Sequence, residues 1–258
     1  MKVLMVGDII GAPGRRAFAK VADRLRCEGR AHFIVANAEN AAAGSGITIP
    51  LARELLDAGA DLLTMGDHTW GQRGFENDIG SEKRILRPAN FAPDLPGAGM
   101  VTIQGSIGSV TVLNLQGRVF MQPADCPFRA ADALLKKAPG GVPIVVDFHA
   151  EATSEKTAMG HHLDGRVAAI AGTHTHVQTN DARLLPRGTG YVTDLGMTGA
   201  SEGIIGRQAE DVLKKFNLGL PVRLEVAEGK PVLEGALFDI DLHSCKCRSV
   251  TLVREWVE

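Results

Sequence analysis

Residues able to hold a cation or move a proton recur at five places in this 258-residue chain, each at the end of an apolar run. They are Asp8 after Gly7, Glu39-Asn40 after Asn37-Ala38, Asp67-His68 after Gly66, His149, and the pair His174 and His176 within Gly172-Thr173-His174-Thr175-His176. Carboxylate oxygens mixed with imidazole nitrogens suit a borderline divalent or trivalent metal such as manganese, iron or zinc. Cysteine is missing from the set, which disfavours a structural zinc knot. Asp8, Glu39, Asn40, Asp67, His149, His174 and His176 offer more donors than one tetrahedral ion takes. Two ions sharing a bridging carboxylate would use them all. Ions about 3.5–4 Å apart form the hydrolytic clamp of phosphatases and nucleases. An extended His174-Thr175-His176 would point both imidazoles the same way, one toward each ion.

Such donors need a scaffold that gathers distant segments. Residues 2–7, 32–36, 62–65, 143–148 and 167–171 are apolar almost throughout, as strands covered on both faces should be. Helical patterns lie between them: residues 13–26 opening on Pro13, residues 48–59 with Thr48 as cap and Pro50 in the first turn, and a stretch after Pro127. Alternation of strands and helices is the mark of βαβ units. In an open α/β sheet, ligands bind beyond the carboxyl ends of the strands, so all five donor groups fall on one edge. Residues 100–115 read as a hairpin around Gly105 and Gly108. Residues 221–257 read as three further strands, with Glu228-Gly229-Lys230 as a hairpin turn. The expectation is an α/β fold with a mixed sheet, or two stacked sheets, and helices outside, in a single domain spanning residues 1–258.

Composition sets outer limits. With 28 Lys+Arg against 30 Asp+Glu, the net charge of −2 excludes a strongly basic nucleic-acid coat. Apolar residues at 45% and charged residues at 22% exclude wholesale disorder. Aromatics at 5% speak against an extended stacking platform for single strands. No apolar run is long enough for a transmembrane helix, so no membrane partner is expected. The first residues read as a core strand rather than a signal segment. Cys27, Cys126, Cys245 and Cys247 make no disulfide framework, which suits a reducing cytoplasm.

In order, Asp8, Glu39-Asn40, Gly66-Asp67-His68, His149 and Gly172-Thr173-His174-Thr175-His176 resemble the motif set of calcineurin-like metallophosphoesterases. The longer segments are similar to the YmdB-like bacterial branch. They are Gly7-Asp8-Ile9-Ile10-Gly11, His149-Ala150-Glu151-Ala152-Thr153-Ser154-Glu155-Lys156, Gly172–Gln178 and Thr193-Asp194-Leu195-Gly196-Met197-Thr198-Gly199. The resemblance implies a four-layer αββα sandwich with mixed sheets, and two metal ions per subunit. Iron or manganese is expected, with zinc or magnesium as alternatives. It implies Asp8, Asn40 and His176 on one ion, Asp67, His149 and His174 on the other, and Glu39 between them. It further implies a phosphodiesterase that opens 2′,3′-cyclic nucleotides to 3′-nucleotides. The nucleophile would be a hydroxide bridging the metals, and His68 would be the proton donor. Phosphomonoesterase or nuclease activity on the same site, or regulatory nucleotide binding with little turnover, are the alternative readings. The expected partner is a small phosphodiester or nucleotide, with RNA ends and self-association into a homo-oligomer also in view.

Two positions depart from the wider family. Its first motif is often Asp-x-His, and here the third residue is Ile10, a loss the YmdB-like branch shares. The usual Gly-Asn-His is here Gly66-Asp67-His68. With Asp67 ionised, three carboxylates and one hydroxide cancel two divalent ions, whereas asparagine would leave a positive centre for a phosphate. The remaining candidates read as structural. His161-His162 sits at a helix end, where it complements the dipole. His243, Cys245 and Cys247 read as alternating along a late strand without zinc-site spacing. Arg15, close behind Asp8, is the basic residue placed to touch a phosphate. Dinucleotide, P-loop and serine-hydrolase motifs are incomplete.

Overall fold

Alternation of apolar side chains along short strands builds two sheets, each with an inner and an outer face. The structure, a computed structural model, describes residues 1–257. Its first half contains β1 (Lys2–Val6), β2 (Asp8–Ile9), α1 (Gly11–Cys27), β3 (Phe33–Asn37), α2 (Ile49–Asp57), β4 (Leu62–Thr64), α3 (Phe75–Asp78) and β5 (Ile85–Leu86). There follow β6 (Met100–Gly105), β7 (Gly108–Gln116), α4 (Pro127–Leu135), β8 (Ile144–His149), α5 (Thr153–Leu163) and β9 (Ala169–Thr173). The chain closes with β10 (Arg183–Leu184), β11 (Gly190–Val192), β12 (Met197–Ala200), α6 (Ala209–Leu218), β13 (Pro231–Ile240) and β14 (Cys247–Trp256).

One sheet runs β2-β12-β13-β1-β3-β4-β5, with β14 on β13; the other runs β10-β11-β9-β8-β7-β6. In the first, β1, β3, β4 and β5 are parallel; in the second, β7, β8, β9 and β11 are. Antiparallel neighbours such as β13 on β1 and β6 on β7 make both sheets mixed.

The period-2 pattern assigns each strand residue to a layer. Leu4 and Val6 pack against Phe18, Val21 and Leu25 of α1 and Leu55 of α2. Val3 and Met5 face the other way, onto Val110, Val112 and Val145 of the second sheet. Val146, Phe148 and Ile170 lie on the far face of that sheet, against Ala131 of α4 and Met159 and Leu163 of α5. Three apolar layers thus separate four structural ones, which is the expected αββα sandwich. Each fully buried Leu, Val or Phe side chain contributes roughly 1.5–3 kcal/mol.

The tail differs from expectation. Two strands form after residue 221 instead of three, and residues 228–230 lead into β13 rather than joining two strands. The hairpin turn is residues 241–246, where Asp241 Oδ1 accepts the backbone N–H groups of His243 at 2.7 Å and Ser244 at 3.3 Å. A short acidic side chain captures its own backbone and so ends the strand. His243 and Cys245 therefore lie in a turn, and only Cys247 belongs to β14. Thr48 does stand at the N-cap of α2, but its hydroxyl makes no capping bond.

Candidate metal centre

Each donor sits where its strand stops. Asp8 opens β2 just beyond β1, Glu39 and Asn40 follow β3, and Asp67 and His68 follow β4. His149 ends β8, and His174 and His176 follow β9. Asp8, Glu39, Asn40, Asp67 and His68 come from the first sheet; His149, His174 and His176 come from the second. All eight residues singled out in the sequence meet where the two edges face each other.

His149 is the hub. Its Nε2 lies 3.0 Å from Asp67 Oδ1, 3.2 Å from Glu39 Oε1 and 3.0 Å from His174 Nδ1. Asp67 Oδ1 is also 3.3 Å from His174 Nδ1. One donor atom from each of Glu39, Asp67, His149 and His174 falls within 4.8 Å of all the others. Asp8 Oδ1 joins this group to His176, lying 3.9 Å from His149 Nδ1 and 3.8 Å from His176 Nε2. Asn40 Nδ2 stands 3.1 Å from Glu39 Oε1 and 3.2 Å from His176 Nε2. His68 Nδ1 is 3.1 Å from Asn40 Oδ1 and 3.3 Å from Glu39 Oε1.

Local backbone choices make this crowding feasible. A Cβ at Gly66 would overlap the His149 ring and a Glu39 oxygen, so only glycine fits before Asp67. His174 and His176 are not extended, as expected, but left-handed, with φ of 101° and 62°. The segment is tied down from both sides. His174 N–H donates to Asp8 Oδ2 at 3.1 Å. The Thr175 N–H and hydroxyl both donate to Asp194 Oδ2, at 3.2 and 2.8 Å. Asp194 is paired in turn with the buried Lys156 Nζ at 2.6 Å. His176 Nδ1 is 3.0 Å from the Ile205 carbonyl, which can only accept, so the proton sits on Nδ1 and a lone pair on Nε2 faces inward. His174 Nε2 meets the Glu151 carboxylate at 3.1 Å with the same effect, leaving the Nδ1 lone pair inward.

Charge follows geometry. Burial pushes Asp8 up to about 7, against the pull of His149, with Glu39 adding to the rise. Burial would also raise Glu39, but the charge and hydrogen bond of His149 hold it well below the usual carboxylate range. Burial would raise Asp67 as well, but the hydrogen bond and charge of His149 hold it below the usual carboxylate range. For His149, burial favours the neutral ring, yet Glu39, Asp67 and Asp8 together raise it well above the ordinary value. Burial lowers His176. The hydrogen bond to Glu39 raises His68.

A cation fits this donor set. Three carboxylates and two inward imidazole lone pairs converge on one volume around His149 Nε2, and a cation there would take the place of the proton that the charged His149 ring carries on that nitrogen. Even so, the buried Asp8 Oδ1 has no hydrogen-bond partner. An unsatisfied buried acceptor costs about 1–3 kcal/mol, more when charged, and a cation there would satisfy it.

Other sequence candidates fall elsewhere. Arg15 spends its guanidinium on Glu54 at 3.0 Å and the Ala41 carbonyl at 2.7 Å, which makes it a brace between α1, α2 and the loop after Asn40. His162 lies in the last turn of α5 and pairs with Asp132 at 3.0 Å. A cavity of about 970 Å³ lined by Pro13, Arg16, Thr48, Gln72 and Val226 includes none of the eight residues. The sequence alone gives no role to Glu151, Asp194 or the buried Asn37, Asp147 and Thr173 beneath His149. One signal was present: Asp147 and His149 alternate on one face of an otherwise apolar strand.

The YmdB-like protein family model matches residues 4–253. The chain belongs to the YmdB-like family. It is 46% identical over 242 residues to the 2′,3′-cyclic-nucleotide 2′-phosphodiesterase of Bacillus subtilis (strain 168), covering 93% of this chain and 92% of that protein. A hypothetical protein from Thermus thermophilus has a crystal structure that superposes with a TM-score of 0.93 at 38% identity, covering 99% of both chains. A novel phosphatase from Mycoplasma pneumoniae superposes with a TM-score of 0.93 at 31% identity, covering 99% of this chain and 93% of the other. The sulfate thiohydrolase SoxB of a Thermus species, at 12% identity and a TM-score of 0.57, shares the fold alone. The calcineurin-like architecture implied by the motifs is therefore the architecture of this chain.

Proposed function

We propose that the protein is a metal-dependent phosphodiesterase that hydrolyses 2′,3′-cyclic nucleotides to 3′-nucleotides. The observation that carries this reading is the meeting of Asp8, Glu39, Asp67, His149, His174 and His176 from five strand ends, with one buried carboxylate oxygen still unpartnered. The name of the Bacillus subtilis relative supports the choice of substrate. Asp8, Asn40 and His176 would hold one ion, Asp67, His149 and His174 the other, with Glu39 between. Mixed oxygen and nitrogen donors favour iron or manganese. When bound, the ions polarise the phosphoryl oxygens and lower the pKa of the attacking water.

The chain's own residues supply the proton. His68 Nδ1 faces two acceptors, Asn40 Oδ1 and Glu39 Oε1, so it keeps its hydrogen. The bond to Glu39 favours the imidazolium, whose second proton is on Nε2. The side chain is 41% exposed, open to a substrate at the rim. Water gives up one proton to solvent and attacks phosphorus as hydroxide, the P–O2′ bond breaks, and O2′ takes its electron pair and the Nε2 proton of His68. The 3′-phosphate remains on the product.

Cyclic phosphates at RNA ends carry the same reacting group and fall within this reading. Among the described residues all four cysteines are free, which supports a cytoplasmic setting. No helix among them is long and apolar enough to cross a membrane. The inter-sheet core supports a single domain, and exposed Leu213, Phe216, Leu218 and Leu220 support self-association. The test is incubation of purified protein with 2′,3′-cyclic AMP, with and without chelator. Chelator-sensitive release of 3′-AMP is expected. Release of 2′-AMP, or turnover indifferent to chelation, would overturn the proposal.

A further inference from the structure

His149 differs from the other two imidazoles of the centre. The outer nitrogens of His174 and His176 meet a carboxylate and a carbonyl, groups that only accept. The outer nitrogen of His149, Nδ1, meets the Thr173 hydroxyl at 2.9 Å. A hydroxyl can donate or accept, so this contact leaves the tautomer open. The residue behind it closes the question. Thr173 Oγ1 donates to Asp147 Oδ1 at 2.7 Å. A hydroxyl has one proton; committed to Asp147, it leaves only lone pairs for His149 Nδ1, which must then be the donor.

Asp147 is set up to receive. Thr64 Oγ1 donates to its Oδ2, and Asn37 Nδ2 donates to the same oxygen at 3.1 Å. The Asn37 amide is oriented by the Glu39 N–H, which donates to Asn37 Oδ1 at 3.1 Å and so turns the NH₂ group toward Asp147. The Thr64 and Thr173 hydroxyls and the shortest Asn37 amide contact therefore all point at Asp147; Asn37 Nδ2 also stands at the longer distances of 3.4 Å from Thr173 Oγ1 and 3.5 Å from His149 Nδ1. Asn37, Thr64, Asp147, Thr173 and His149 are all at most 1% exposed, so bulk water does not scramble the order. A carboxylate in the middle of an apolar strand is costly unless hydrogen-bonded.

We propose that Asp147, acting through Thr173, is a positioning residue that locks His149 with its proton on Nδ1 and its Nε2 lone pair directed into the metal centre. The lock rests on His149 being a metal ligand, as proposed above. Run in reverse, from Asp147 through Thr173 to Nδ1, the same chain would place the ring proton on Nε2, and His149 could not ligate. Partners of this kind behind a ligating histidine are worth about 10–100-fold in metal affinity.

Zinc-loaded protein carrying ¹⁵N-histidine tests the lock, together with zinc affinity measured by chelator competition. In the wild type, the His149 resonances should show a protonated Nδ1 and a metal-bound Nε2. Thr173→Val and Asp147→Asn should each weaken zinc about 10–100-fold, while Thr173→Ser, which keeps the hydroxyl, should stay close to wild type. A protonated Nε2 in the wild type, or Thr173→Val binding zinc as tightly as Thr173→Ser, would overturn the lock. If Thr173→Val does not fold, the wild-type spectrum still decides. His149→Ala separates the two levels: unchanged zinc affinity there would sink the ligand assignment itself. Loss in His149→Ala with none in Thr173→Val or Asp147→Asn would sink only the lock.

Discussion

Lys156→Met should unseat the loop that carries His174 and His176. Lys156 projects from α5 and meets Asp194 at 2.6 Å, with both side chains 1% exposed. The same carboxylate holds the Thr175 N–H and hydroxyl through Oδ2, and the Gly196 N–H through Oδ1 at 2.8 Å. Those bonds maintain two non-glycine residues in the left-handed region, at φ of 101° and 62°, where each costs about 1–3 kcal/mol. Removing the lysine leaves a buried charge without its partner, a loss of about 3–5 kcal/mol. For a chain of this size one kcal/mol moves Tm by about 2–4 °C, so the variant should melt roughly 6–20 °C lower. Differential scanning calorimetry of the metal-saturated protein reads this directly. Lys156→Met combined with Asp194→Asn removes both charges and should recover part of the loss, because breaking one side of a buried pair costs more than deleting both. A single variant melting within about 2 °C of wild type, or a double variant no better than the single, would refute this account of the loop.

Three further outcomes follow from the same geometry. His68→Ala should keep its full metal content while kcat for 2′,3′-cyclic AMP falls by about 10²–10⁴-fold; loss of metal on elemental analysis would make His68 a ligand instead. Asp67→Asn removes one negative charge beside His149 and His174 and should tighten inhibition by inorganic phosphate, read from Ki; an unchanged Ki would contradict the charge reading. Burial raises Glu234 above the ordinary glutamate value, against the pull of the Met197 N–H and Arg254. A carboxyl with a raised folded pKa binds its proton more tightly folded than unfolded, so the stability it contributes is lost as pH rises from the ordinary value through the raised one. Glu234→Gln should flatten that part of a Tm-against-pH curve, and an unaltered slope would refute the assignment.

Much of the fold was legible because burial on both faces leaves nearly pure apolar runs. Residues 2–7 and 32–36 read as strands and are β1 and β3 to within a residue. The last of the parallel-type runs, residues 167–171, was placed two residues early, since Gly172-Thr173 reads as loop until Thr173 is seen pairing with His149. The tail misled because Glu228-Gly229-Lys230 has turn chemistry without a second strand before it, and the true turn at Asp241 depends on one side chain capturing its own backbone. The meeting of Asp8, Glu39, Asp67, His149, His174 and His176 was legible from their types at strand ends. Their supports were not: Glu151, Asp194 and Asp147 act through contacts 19–110 residues away, such as Asp194 with Thr175 and Asp147 with Asn37, and spacing alone does not reveal such contacts. The left-handed turn at His174 and His176 was equally hidden, because histidine enters the positive-φ region more often than most residues but still seldom.

The most direct measurement is a crystal structure of protein loaded with manganese, with anomalous scattering recorded at the metal edge. Two peaks about 3.5–4 Å apart are expected, with Glu39 between them, Asp8 and His176 beside one, and Asp67, His149 and His174 beside the other. A single peak, or peaks that none of Asp8, Glu39 and His149 touches, would contradict the account.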